Sequence, residues 1–133
     1  MIRYMLDTNV CIELIRGRGK KVLKRLKRCK VGEVGISAIT LAELECGVER
    51  SAKPDQNRIA LREFCAPLEI RSFDGAAANA YGKIRADLQR AGQVIGPMDL
   101  LIAAHALADG ATIITNNEGE FRRVEGLAVE NWC

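Results

Sequence analysis

Short apolar runs alternate with stretches of helical period along the whole chain, and no other feature narrows the fold as much. Ile2, Tyr4, Met5 and Leu6 read as a buried first strand, and Glu33-Val34-Gly35-Ile36-Ser37, rich in small and β-branched residues, as a second. Leu68-Glu69-Ile70-Arg71-Ser72-Phe73 alternates at period two. Ala111-Thr112-Ile113-Ile114-Thr115 reads as a buried strand, and Leu127 to Trp132 as a short last one. Between these runs, Val10 to Ile15 form a short helix broken by Gly17 and Gly19, and Lys20 to Lys30 a basic one. A further helix opens near Ser37 or Thr40 and keeps Leu41, Leu44 and Val48 on one face. Pro54 breaks the pattern, and Gln56 to Cys65 resume it until Pro67. Asp74 is a good N-cap for a helix ending at Gly92. Pro97 suits the first turn of the next, whose residues Met98 to Ala108 are apolar nearly all round and belong inside. Such alternation predicts an α/β fold with a parallel sheet covered on both faces.

At 133 residues the chain is expected to form one domain, 1–133, with no repeat or linker. Its hydrophobic share of 48 % and charged share of 28 % suit an ordinary globular protein. No run approaches the ~18 apolar residues of a membrane span. The start, Met1-Ile2-Arg3-Tyr4, lacks the apolar core of a signal peptide, so a cytoplasmic address is expected. Five cysteines, scattered and without a CxxC pair, suit neither a disulfide framework nor a zinc site. Cys11, Cys46 and Cys65 have apolar neighbours and read as small buried hydrophobes. His105, the only histidine, reads as a packed helix residue, which disfavours histidine-dependent hydrolysis.

The net charge of +3 conceals an asymmetry. Nine of the 20 Lys and Arg fall between Arg16 and Lys30 with no acid among them, leaving 11 basic against 17 acidic residues elsewhere. Such a block is an electrostatic footprint for a polyanion, although Val22, Leu23 and Leu26 also give it a face to pack.

The acids outside that block fall at element ends. Asp7 follows the first strand, in the crevice where open α/β sheets bind ligands, and Thr8 and Asn9 stand ready to hold it or to cap a helix. Glu43 lies in the helix after the second strand, Asp99 in the first turn of the apolar helix, and Glu120 after the strand ending at Thr115. Spacing leaves Glu43 and Glu45 as alternatives, since residues two apart do not share a helix face. Carboxylates gathered in one cleft repel each other unless a cation neutralises them. With no cysteine or histidine cluster, hard oxygen ligands point to Mg²⁺, or Mn²⁺ in its place. The chemistry expected of such a site is metal-assisted attack of water on a phosphodiester, with a basic face holding the nucleic-acid backbone.

Four ordered motifs carry a resemblance over almost the whole chain: Met5-Leu6-Asp7-Thr8-Asn9, Ser37-Ala38-Ile39-Thr40-Leu41-Ala42-Glu43-Leu44, Gly96-Pro97-Met98-Asp99-Leu100-Leu101-Ile102-Ala103, and Thr115-Asn116-Asn117 through Glu120-Phe121. Together they resemble the PIN-domain ribonucleases, specifically the VapC toxins of bacterial VapBC toxin–antitoxin pairs. The resemblance implies a three-layer α/β/α sandwich with a mostly parallel central sheet, and a Mg²⁺-dependent endoribonuclease. It implies that Asp7 and Asp99 hold the metal with Glu43 as third acid, and it decides between Glu43 and Glu45. It places small hydroxyl residues, Thr8, Ser37 and Thr115, near the site. Asn117 stands where many relatives carry an aspartate, and the stretch before Glu120 is longer than theirs. Asparagine adds no charge, so one firmly held Mg²⁺, with a second arriving alongside substrate, suits this set better than a permanent pair. Asn117 and Glu120 are then expected to position water or complete the outer shell. The Thr115-Asn116-Asn117 variant and the closing Val129-Glu130-Asn131-Trp132 resemble the enteric type, which implies initiator tRNA cut in its anticodon loop. A VapB antitoxin and homodimerisation are implied as well. The alternative is a non-catalytic RNA- or antitoxin-binding PIN module, and a weaker third is a small phosphatase-like α/β enzyme.

Overall fold

The computed structural model describes residues 2–133. Five strands, β1 (Tyr4–Leu6), β2 (Val34–Ser37), β3 (Glu69–Arg71), β4 (Thr112–Ile114) and β5 (Val129–Glu130), form one sheet in the order β3-β2-β1-β4-β5. Every neighbouring pair is parallel, so the sheet is wholly rather than mostly parallel. The chain builds β1, β2 and β3 towards one edge, then returns to add β4 and β5 on the other side of β1. The strand order therefore reverses between β1 and β4, and the carboxyl ends of those two strands flank the crevice.

Among the described residues seven helices cover the sheet: α1 (Thr8–Ile15), α2 (Lys20–Leu26), α3 (Ala38–Glu49), α4 (Pro54–Cys65), α5 (Gly75–Ala91), α6 (Pro97–Asp109) and α7 (Glu118–Phe121). Successive strand residues face opposite layers. Met5 and Ile113 pack with Ile84, Leu88 and Ile102 of α5 and α6, whereas Leu6 and Ile114 pack with Val10, Val22, Leu44 and Leu61 of α1 to α4. Each fully buried aliphatic side chain of this kind contributes about 1.5–3 kcal/mol. Gly35 is required where β2 meets β3, because a Cβ there would lie 2.5 Å from the Glu69 carbonyl oxygen. The expected caps form: the Asp74 carboxylate accepts from the Ala77 N–H, and Gly92 closes α5 in the left-handed conformation.

Three details depart from expectation. Pro54 opens α4 at its first turn rather than preceding it, since a helix start has no use for the missing N–H. The polar stretch after Thr115 contains the short helix α7, too brief for periodicity to reveal. Cys46 is exposed, because the buried stripe of α3 runs through Leu44 and Val48; Cys11 alone of the three is fully buried. No described helix is long and apolar enough to cross a membrane.

Candidate active site

Asp7 has just left β1, its N–H bonded to the Ile114 carbonyl of β4, and it is only 2 % exposed. Its carboxylate Oδ1 accepts from the Val10 N–H at 2.8 Å, capping α1. Oδ2 accepts from the Thr115 hydroxyl at 2.5 Å, and Thr115 Oγ1 in turn accepts from the Asn117 N–H at 2.8 Å. One carboxylate thus ties together the ends of β1 and β4 and the start of α1. Burial pushes its pKa up against those hydrogen bonds, and the negative charge of Glu43 pushes the same way.

Glu43 is half-buried on α3, its Oε1 accepting from the Thr8 hydroxyl at 2.6 Å, with Thr40 behind Thr8 at 3.4 Å. Glu45 is exposed, on another face of the same helix. The choice that spacing left open is therefore made by the orientation of α3.

Asp99 lies in the first turn of α6. Burial, a side-chain hydrogen bond with Glu120 and the charges of Glu120, Asp7 and Glu43 push its pKa up to about 7. Glu120 is held below its usual value by that hydrogen bond, by the Gly96 N–H at 3.3 Å and by the Asn117 amide at 2.8 Å. Within this pair Asp99 is pushed towards its protonated form and Glu120 is held as the carboxylate.

Asp7, Glu43, Asp99, Glu120 and Asn117 thus lie around the same end of the crevice between β1 and β4. Two contributors were not singled out in sequence, the Gly96 N–H and the Thr40 hydroxyl, because a backbone N–H and one more helical threonine do not stand apart from their neighbours. Ser37, grouped with the site hydroxyls by resemblance, faces elsewhere: its Oγ accepts from the Ile39 N–H and lies 2.8 Å from His105 Nδ1.

Carboxylates, hydroxyls and an amide, with no thiol or imidazole among them, make a donor set for a hard divalent cation. Burial first, and neighbouring negative charge after it, raise Asp7 and Asp99, and a bound cation would offset both. As they stand, no three acids among the described residues are gathered closely enough to share an ion. Each is turned onto a protein partner, and binding requires some of them to rotate off a hydroxyl or amide.

The chain matches the PIN-domain family over residues 4–127. It is 42 % identical over 132 residues to the tRNA(fMet)-specific endonuclease VapC of Shigella flexneri, spanning 99 % of both chains. It is 43 % identical over 130 residues, 97 % of both, to ribonuclease VapC2 of Rickettsia felis. In three dimensions it superposes with a TM-score of 0.95 on a chain of DNA-bound VapBC from Salmonella typhimurium, at 40 % identity and with all of both chains covered.

Proposed function

This chain belongs to the PIN-domain family, and on that premise we propose that it is the endoribonuclease toxin of a VapBC pair, cutting initiator tRNA in the anticodon loop. The observation that carries this reading is the grouping of four carboxylates about the β1–β4 switch point, with Asp99 raised to about 7 by burial and then by the other three. The full-length likeness to relatives named ribonuclease and tRNA(fMet)-specific endonuclease supports the reaction and the substrate. The likeness to a chain of VapBC supports a VapB antitoxin as partner. Homodimerisation is part of the same proposal.

Asp7, Asp99 and Glu43 are the residues we assign to hold Mg²⁺, with Mn²⁺ as substitute. Bound there, the cation supplies charge neutralisation and polarises the scissile phosphate and the attacking water. The chain's own groups do the positioning. Thr115 and the Val10 N–H each bond one oxygen of Asp7 and so set the orientation of its carboxylate. Thr8 sets the rotamer of Glu43. The Asn117 amide and the Gly96 N–H hold Glu120, which stands beside Asp99 to orient water and carry its proton.

The test is incubation of purified protein with total bacterial tRNA, with Mg²⁺ or with EDTA, mapping new 5′ ends. A single Mg²⁺-dependent cut in the initiator tRNA anticodon loop is expected. A second reading rests on Asn117, whose neutral amide donates to Glu120 where an acid would add charge. That reading, a non-catalytic RNA- or antitoxin-binding module, predicts RNA binding that survives EDTA with no product.

A further inference from the structure

An acidic cleft repels the polyanion it is proposed to cut, so affinity for RNA must come from another surface. The middle of the basic segment from Arg16 to Lys30 forms α2, and the buried residue of that helix, Val22, ties it to the core. Arg25 is spent on scaffolding. Its guanidinium lies 4.6 Å over the ring of Trp132 and 3.6 Å from Glu130, and Trp132 packs edge-on against Tyr4 at 4.9 Å. This clasp fixes the helix against the β5 side of the sheet. Lys21, Lys24 and Arg28 are left exposed, and none of them enters an ion pair among the described residues. With Asn131 and Cys133 they line one open, polar depression beside the clasp.

The depression leads to the acids. The Cys133 N–H donates to Asn131 Oδ1 at 2.8 Å. Asn131 donates to Glu118 at 3.5 Å, and Glu118 opens α7, the helix that carries Glu120. Basic surface and acidic site therefore adjoin along the end of the sheet.

We propose that Lys21, Lys24 and Arg28, set around the Asn131–Cys133 segment, form the surface that holds the RNA sugar-phosphate backbone beyond the scissile loop. This rests on the endoribonuclease reading for its substrate, but not for its test. Lys21 and Lys24 lie about one turn apart on α2 and Arg28 just past its end, so the three can meet successive phosphates. Two flexible ammonium groups and a guanidinium with no carboxylate to satisfy suit phosphates in variable positions. The depression is polar. The apolar surface of this helix, with Leu23 and Leu26, lies in a separate groove against Phe64 and Leu68, so an amphipathic polypeptide would have its contacts there instead.

The experiment measures binding of fluorescent full-length tRNA in EDTA by anisotropy, over a range of salt. It compares wild type with the triple variant Lys21→Gln, Lys24→Gln, Arg28→Gln. The control removes equal charge from α5, by Lys83→Gln, Arg85→Gln and Arg90→Gln. The first triple is expected to weaken affinity at least about tenfold and to flatten the log Kd against log salt plot by about 2–3, at roughly 0.7–0.9 per phosphate contact. The control is expected to leave both unchanged. Unaltered affinity in the first triple, or equal loss in both, overturns the proposal. So does retained tRNA affinity with lost affinity for a polyglutamate peptide, which would mark an acidic polypeptide as occupant. Cleavage by the same wild-type protein is scored separately with Mg²⁺. Absence of any tRNA product there sinks the endoribonuclease reading, while the binding result still decides this one.

Discussion

Asp7 and Ser37 hold matching places at the ends of neighbouring parallel strands, yet they belong to two very different polar clusters. Each caps the helix that follows, Asp7 through the Val10 N–H and Ser37 through the Ile39 N–H. Each reaches a side chain far along the chain, Thr115 for Asp7 and His105 for Ser37. Around Asp7 negative charges accumulate without a cationic side chain bonded to them. Around Ser37 charges cancel: Asp109 pairs with Arg71 at 3.0 Å, and burial lowers the His105 pKa so that the ring stays neutral. Ser37 Oγ already accepts one N–H, so we assign its own proton to the bond with His105 Nδ1. That leaves Nε2–H directed at Asp109, 3.6 Å away, too far for a hydrogen bond. The same strand-end cap thus belongs to an uncompensated acidic cluster in one place and to a structural joint in the other. What separates them is whether the charge is balanced within the protein.

If that distinction holds, substitutions in the two clusters should have different readouts. Asp7→Asn or Asp99→Asn keeps shape and removes charge. Cleavage should fall by more than the ~100-fold typical of losing an outer-shell partner, with an unchanged circular dichroism spectrum. Wild-type rates in either variant would remove these residues from the metal site. Thr115→Val deletes the hydroxyl that orients Asp7, and a loss of about 10–100-fold in cleavage is expected. His105→Ala should do the reverse. Urea unfolding should show a loss of about 2–4 kcal/mol from the cavity and the orphaned Ser37 hydroxyl, with kcat per folded molecule maintained. A large fall in kcat at unchanged stability would place His105 in the active site after all.

Acid should separate the clusters by sign. His105 has a folded pKa below its unfolded value of about 6.5, so its neutral form stabilises the fold above that pH, and the contribution is lost as pH falls below it. Asp99 has a folded pKa of about 7, above its unfolded value, so its contribution is fully present at low pH and is lost as pH rises through 7. Unfolding in EDTA between pH 5 and 8 should therefore give difference curves of opposite slope for His105→Gln and Asp99→Asn against wild type. The smallest effect is expected far from both clusters: Cys46→Ser, on an exposed helix face, should change neither stability nor cleavage beyond about 0.5 kcal/mol or its kinetic equivalent.

Much of this was legible because it is local. The alternation of apolar runs with helical periods carries the α/β class, and Asp74, Gly92 and Pro97 mark helix ends by their own backbone preferences. The acids stood at element ends, and the four-motif resemblance singled out Asp7, Glu43 and Asp99 with Glu120 and Asn117. Glu43 could not be separated from Glu45 by spacing, because that depends on how α3 rolls on the sheet. Cys46 was misplaced because apolar neighbours in sequence need not be neighbours on a helix face.

The sequence by itself determined which segments become strands and helices, and which residues can carry charge, cap or ligate, since these follow from side-chain chemistry and short-range periodicity. Only the tertiary structure decided that β4 lies beside β1, bringing Thr115 to Asp7 across 108 positions of chain. It alone decided that burial and Glu120 raise Asp99, and that Arg25 is held while Lys21, Lys24 and Arg28 stay out of ion pairs among the described residues. Those outcomes depend on burial and on distances between remote residues. Folding sets both through the packing of all the elements together, and no single stretch of chain contains them.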